Sequence, residues 1–172
     1  MEEETMSRFK ILALIALFTF ALGLALASDA LAGEKIKGRC VWYRVKAEFV
    51  NVPGEEGRIF YMWEEKGILT VFQGSKLLDG MALFNVGVLD MNTKTGIGSG
   101  HGVIECTDRD GDKIYTTWEG KGVGGPWSGS WTFVRGTGKF EGLKGKATWS
   151  NVPNVAPNQN YSDCEGELEW PR

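Results

Sequence analysis

Histidine is almost absent from this chain: His101 is the only one in 172 residues. A lone imidazole, with no serine or cysteine at a recognisable nucleophile motif, gives no support to nucleophilic catalysis. Cysteine is also scarce, and the spacing of Cys40, Cys106 and Cys164 matches no zinc pattern. Charge of one sign is missing too, with 19 basic against 22 acidic residues and a net charge of −3. Such a balance leaves no electrostatic footprint for nucleic acid or an anionic membrane surface. Beyond Ala32 there is no second long apolar run, no segment of helical period, no internal repeat and no linker. A membrane protein of several helical spans, a helix bundle and a multidomain chain are thereby disfavoured.

What is present begins at the N-terminus. Arg8 and Lys10 precede an unbroken apolar run from Ile11 to Ala27, and Ala25-Leu26-Ala27 and Ala30-Leu31-Ala32 follow as small-residue cleavage patterns. This order predicts a secretory signal peptide over residues 1–32, cleaved after Ala32 or Ala27. Translation from Met6 would leave the basic leader MSRFK and drop the acidic MEEET. The run is nearly long enough to span a bilayer, so a retained anchor is the alternative. No cysteine directly follows the run, so a bacterial lipoprotein is not indicated. Cleavage predicts a periplasmic or extracellular protein free of the membrane, with residues 33–172 long enough for one domain with a real core. Oxidising surroundings predict one disulfide and one leftover thiol. Inward parity pairs Cys164 with Cys106, whereas barrel closure would bring it beside Cys40, which alternation points outward.

Residues 33–172 alternate with period two. In the last segment, Cys164 to Trp170, glutamates fill one face and small or apolar residues the other, the mark of a half-buried strand. In the first, Val41, Tyr43, Val45, Ala47 and Phe49 share one face and Trp42, Arg44, Lys46 and Glu48 the other. Further strands are expected near 58–65, 67–73, 81–91, 102–107, 113–119, 129–135 and 144–150, separated by Gly- and Asp-rich turns. Asn151 to Asp163 reads as a surface loop, long enough to act as a rim or lid. The whole predicts an all-β antiparallel barrel or sandwich.

The stretch GTGKFEGLKG, residues 136–145, has four glycines in ten residues. A P-loop requires Ser or Thr after Gly-Lys, but Phe140 follows Lys139. Phosphate-binding glycine motifs also open a helix, whereas the residues after this stretch are strand-like. The glycines therefore read as a bend between two strands. From Arg135 to Trp149, RGTGKFEGLKGKATW resembles the Gly-Thr-Gly-Lys-Phe/Tyr-x-Gly-x-x-Gly segment of the allene oxide cyclase and dirigent barrel superfamily, especially its small exported bacterial members. That resemblance implies a calycin-like antiparallel barrel of eight strands, homo-oligomers, and a cavity that guides reactive apolar molecules. The plant catalytic residues lie outside the matched segment, so no catalytic residue and no cofactor are assigned.

Parity places Trp118, Trp131, Phe133, Trp149, Tyr43, Asn85 and Arg135 on the barrel interior, where they are the candidate ligand-binding residues. Large aromatics are usually packing before they are binding, and a narrow barrel is either filled or holds one small ligand. Arg135 on an apolar face would need a partner, such as a ligand carboxylate. Asp108, Asp110 and Asp112 are weak metal candidates: with Glu119 they mimic calcium-loop spacing, but Lys113 stands where an EF-hand needs glycine. Asp-Gly between strand-like flanks is a hairpin signal instead. His101 falls on the outer face. RIFYMWEE, residues 58–65, is apolar on both faces and suggests a covered strand and a homo-oligomer contact. No acid–base pair falls on the inner face, so hydrolysis is unsupported. The expectation is an exported barrel binding a small apolar or amphipathic ligand. The alternatives are an isomerase or cyclase that steers its ligand, and a non-catalytic interaction protein with a filled core.

Overall fold

A computed structural model describes residues 33–156 and 158–171, without the side chains of 153–155. The expected signal peptide, residues 1–32, lies outside the described residues. Eight strands follow in order: β1 Glu34–Asn51, β2 Arg58–Gln73, β3 Ala82–Asn92, β4 Ile97–Thr107, β5 Lys113–Val123, β6 Ser128–Gly136, β7 Lys144–Ala156 and β8 Gln159–Glu169. Each pairs antiparallel with its neighbours, and β1 meets β8 to close the barrel. Closure leaves no free edge along the paired length and makes an interior only wide enough for side chains or one small ligand. Among the described residues no helix is long and apolar enough to cross a membrane.

Alternation turns every second side chain inward, and the interior divides along the barrel axis. At one end two short 3-10 turns, Lys76–Leu78 and Gly138–Phe140, fold Leu78 and Phe140 under the strands. Phe140 and Leu168 are fully buried, and Leu78 and Met81 nearly so, which plugs this end. Gly138 and Gly142 hold positive φ of 52° and 80° in the bend after β6, the region that side chains disfavour. GTGKFEGLKG is thus a strand-to-strand turn that inserts a phenylalanine into the core. Above the plug lie Cys40, Leu69, Leu83, Ile104, Cys106, Ile114, Phe133 and Cys164, around an apolar void of about 30 Å³. The other end is open.

Several expectations are corrected. RIFYMWEE and GILTVFQ form one continuous strand, with Gly67 paired to Trp42 inside it. Asn151 to Asp163 is not a loop: β7 and β8 continue through it as a hairpin. The face assignment of β1 is inverted, because Ile36, Cys40 and Trp42 are buried while Tyr43 is 55 % exposed. The expected disulfide is absent, and all three cysteines are free thiols. Registry explains this for Cys40 and Cys164: Gly38 faces Cys164 and Cys40 faces Ser162, so the two cysteines are only diagonal neighbours. Diagonal positions lie about 7–8 Å apart, beyond the usual bridging range of a disulfide. Cys106 enters from β4, elsewhere around the barrel. Burial pushes the thiols of Cys40 and Cys106 up, the latter to about 12, so both are neutral and unreactive at ordinary pH.

Candidate functional site at the open end

Five tryptophans converge above the apolar layer. Trp42, Trp63, Trp118, Trp131 and Trp149 line a cavity of about 60 Å³ together with Glu65, Asn85, Ile104, Asn151, Asn160 and Ser162. Four of these rings stand across the ladder from glycine: Trp42 from Gly67, Trp63 from Gly87, Trp118 from Gly102 and Trp149 from Gly129. The reason is volume, since an eight-stranded barrel has no room for facing large side chains. A Cβ on Gly87 would lie 2.6 Å from ring carbons of both Trp63 and Trp118. Trp63 and Trp118 then approach with centroids 5.6 Å apart, and Trp118 meets Trp149 edge-on at 5.9 Å, a favourable aromatic arrangement.

A polar chain runs through this aromatic cluster. Trp118 Nε1 donates to Asn85 Oδ1 at 2.8 Å, and Asn85 Nδ2 donates to Glu65 Oε2 at 3.1 Å. Arg44 Nη2 donates to Glu65 Oε1 at 2.9 Å. Glu65 is only 3 % exposed, so this partnership is what permits a carboxylate there. The Arg44 guanidinium also stands 5.4 Å from the Tyr61 ring centroid and 6.0 Å from that of Trp63, within cation–π range. Ser162 Oγ donates to Asn151 Oδ1 at 3.0 Å. Three buried polar atoms of the lining residues have no partner among the described residues, Trp63 Nε1, Trp149 Nε1 and Asn160 Oδ1, and Arg44 Nε, behind Glu65, is a fourth. Three are donors and one is an acceptor. Chemically the site offers an aromatic wall of mutually tilted rings and an excess of hydrogen-bond donors.

The residues expected to line the interior divide into three groups. Asn85, Trp118, Trp131 and Trp149 come together at this cavity. Phe133 faces the lower void with the cysteines, while Trp131 borders both. Tyr43 and Arg135 are outside. Tyr43 is displaced by the inverted face of β1, and Arg135 by a bulge. Thr116 pairs with Phe133 but Tyr115 with Arg135, so Val134 is the extra residue and Arg135 swings outward. Its guanidinium covers the Tyr115 ring at 4.2 Å, so it has no need of a ligand carboxylate.

Sequence reasoning missed Trp42, Trp63, Glu65, Arg44, Asn151, Asn160 and Ser162. One usable signal existed: Trp63, Glu65 and Gly67 share a parity, and an interior glycine marks where a large neighbour needs room.

The acidic turn holds a lysine at its centre. Asp108 Oδ1 accepts from the backbone N–H of Asp110 and Asp112, both at 2.9 Å. Lys139 Nζ stands 2.5 Å from Asp108 Oδ2 and 2.6 Å from Asp110 Oδ2, and its backbone N–H reaches Asp112 Oδ2 at 3.2 Å. The ammonium takes the place a cation would need, and no metal-holding group of three or more His, Cys, Asp or Glu forms among the described residues. His101 is exposed on the outer face, between Val88 and Glu119 in the ladder.

No family model matches this chain, and no curated protein does. Among solved structures, the chain is similar to a protein of unknown function from the DUF3224 family of Shewanella oneidensis MR-1. The two are 16 % identical with a TM-score of 0.52, over 80 % of this chain and 98 % of that one. A pyocyanin demethylase is 13 % identical with a TM-score of 0.41, over 77 % of this chain and 99 % of that one. The first likeness shows a shared barrel fold and nothing of activity; the second is too weak to carry an argument.

Proposed function

We propose that this chain is an exported barrel that binds a small amphipathic molecule at its tryptophan-lined end, apolar or aromatic in its body and hydrogen-bond-accepting at its head. The observation that carries the reading is the donor excess: of the lining residues, Trp63 Nε1 and Trp149 Nε1 stand unpartnered with only Asn160 Oδ1 as a counterpart, and Arg44 Nε is unpartnered behind the lining residue Glu65. Leaving a buried donor unsatisfied costs about 1–3 kcal/mol, and a ligand carboxylate or carbonyl would recover that cost several times over. The cavity volume of about 60 Å³ suits such a head rather than a whole molecule, and the Tyr61 and Trp63 rings, stacked at 5.3 Å, extend the wall for the body. Glu65 is the only carboxylate among the described lining residues, and Arg44 and Asn85 occupy both its oxygens. The reading therefore includes no acid–base step. Export is supported by the leader pattern of residues 1–32. Kinship with the allene oxide cyclase and dirigent barrels belongs to the same proposal and is supported by the segment Arg135 to Trp149.

A second reading, an interaction protein with a filled core, is favoured by volume alone. The two voids of about 60 and 30 Å³ fall far below the several hundred Å³ of ordinary ligand pockets. Titration of the purified protein with indole-3-acetate, indole and tryptamine, followed by tryptophan fluorescence and calorimetry, separates the readings. Binding in the order acid, neutral ring, amine is expected. Absence of binding by all three gives the case to the filled core, and preference for the amine overturns the donor argument.

A further inference from the structure

We propose that the free edge of β1 joins two copies of this chain, by antiparallel pairing centred on Ala47. β8 accompanies β1 only from Glu34 to Tyr43, and the Arg44 N–H donated to Asn158 O at 2.9 Å ends the shared edge. From there to Asn51, β1 has β2 on one side and no strand among the described residues on the other. All seven residues from Val45 to Asn51 are exposed. Such an edge presents unpaired N–H and C=O groups, a template for another strand. It is also apolar: Phe49 and Val50 are each about two-thirds exposed, and Phe60 and Met62 lie beside them on β2.

Proteins commonly guard an open edge with lysine, and Lys46 stands here. Glu48, two residues on, makes this guard self-complementary. Within one copy the two are already paired, Lys46 Nζ to Glu48 Oε1 at 2.9 Å, in full view of solvent. Two copies related by a two-fold axis through the sheet keep their faces, so only residues of like parity can stand opposite. Centred on Glu48, the pairing sets glutamate against glutamate, which is unfavourable. Centred on Phe49, it sets Lys46 opposite Val52 and Glu48 opposite Val50. Centred on Ala47, it places Lys46 of each copy opposite Glu48 of the other, twice, with Val45 opposite Phe49. Charge complementarity selects this last register. The bulge between Arg44 and Lys46 and the Asn158 bond confine the pairing to Val45–Phe49, so the dimer is weak and concentration-dependent, well below the size of a permanent interface.

Sedimentation velocity across a wide concentration range tests this. A reversible monomer–dimer equilibrium is expected. Lys46→Glu should weaken it about tenfold or more, by turning two attractive cross-strand pairs repulsive, and the double variant K46E/E48K should restore it. Lys46 is exposed, so circular dichroism should show every variant folded. Hydrogen exchange should slow at the amides of residues 45–49 as concentration rises. A monomer at every concentration overturns the proposal, as does a dimer indifferent to K46E or a dimer whose residues 45–49 gain no protection.

Discussion

The two ends of the barrel are built from the same alternating strands but filled by opposite rules. The plugged end is closely packed: Phe140, Leu78, Met81 and Leu168 are at most 1 % exposed, and the indole of Trp170 donates to Glu34 Oε2 at 2.6 Å. The open end has larger side chains yet is less complete, with unpartnered donors, a buried carboxylate and a void between rings. Packing explains the first end almost fully, since close-packed side chains of this kind are what a barrel interior needs. It does not explain the second, where polar groups are buried without every bond being made, a pattern stability alone does not favour. The difference separates structural residues from candidate functional ones more sharply than aromatic content does.

That contrast is broken first by truncating its strongest side. Phe140→Ala removes a wholly buried ring and should cost about 3–5 kcal/mol, a fall in melting temperature of roughly 10 °C or more, without altering the tryptophan environment at the far end. Thermal unfolding checks the first half; because the Trp170 ring lies 6.2 Å from that of Phe140 and its own emission will change, unchanged affinity for indole-3-acetate checks the second. A loss below about 1 kcal/mol would mean that the plug is not the structural end.

Gly87 sharpens the other side. Gly87→Ala adds a methyl 2.6 Å from both Trp63 and Trp118 rings, and overpacking of this kind costs about 1–3 kcal/mol. Here the spectral change should exceed the stability change in interest, because the rings that move are the cavity wall. A blue- or red-shifted emission with altered affinity for indole-3-acetate is expected; unchanged emission would show that the wall yields freely.

These glycines also show what the sequence could and could not reveal. Period-two alternation disclosed an all-β antiparallel barrel or sandwich, the resemblance over Arg135 to Trp149 chose the barrel, and GTGKFEGLKG disclosed its own bend, because alternation and turn chemistry are local properties of the backbone. Asn85, Trp118, Trp131 and Trp149 were legible as one lining because β3, β5, the first part of β6 and β7 alternate cleanly there. A bulge spoiled Arg135. At Tyr115/Thr116 the register slips by one residue, and a one-residue slip moves the side chains beyond it to the other face. Tyr43 failed for a different reason: its strand is amphipathic on neither face, since Trp42 and Tyr43 compete for the interior and only pairing with Gly67 lets the larger ring win. Arg44 and Glu65 were hidden because a charge is normally read as outward, and only their partnership across β1 and β2 brings them in.

Asn85→Leu probes the polar chain with a smaller expected effect. It orphans Trp118 Nε1 and one oxygen of Glu65, at a cost of about 1–3 kcal/mol from lost satisfaction, partly offset by the apolar volume gained. Chemical denaturation with ligand present and absent distinguishes two outcomes. If the open end is a binding site, affinity for indole-3-acetate falls by more than stability does; if it is only core, stability alone changes.

The smallest effect lies at the plugged end, in the acidic turn. The Lys139 hydrogen bond holds the Asp108 carboxyl below its ordinary value of 3.8, and the same pairing holds the Lys139 ammonium up. A carboxyl with a depressed folded value contributes stability at pH above its ordinary range, and that contribution fades as pH falls through the depressed value. Lys139→Met should therefore destabilise slightly at neutral pH, with the gap from the parent protein closing below about pH 4. The ammonium also lies 5.7 Å from the Phe140 ring centroid, so a gap that stays constant from neutral to acid pH would assign Lys139 to covering the plug rather than to holding the turn. Either result bears on the plugged end alone, because no residue of the acidic turn lines the upper cavity, and affinity at the open end should be the same in both proteins.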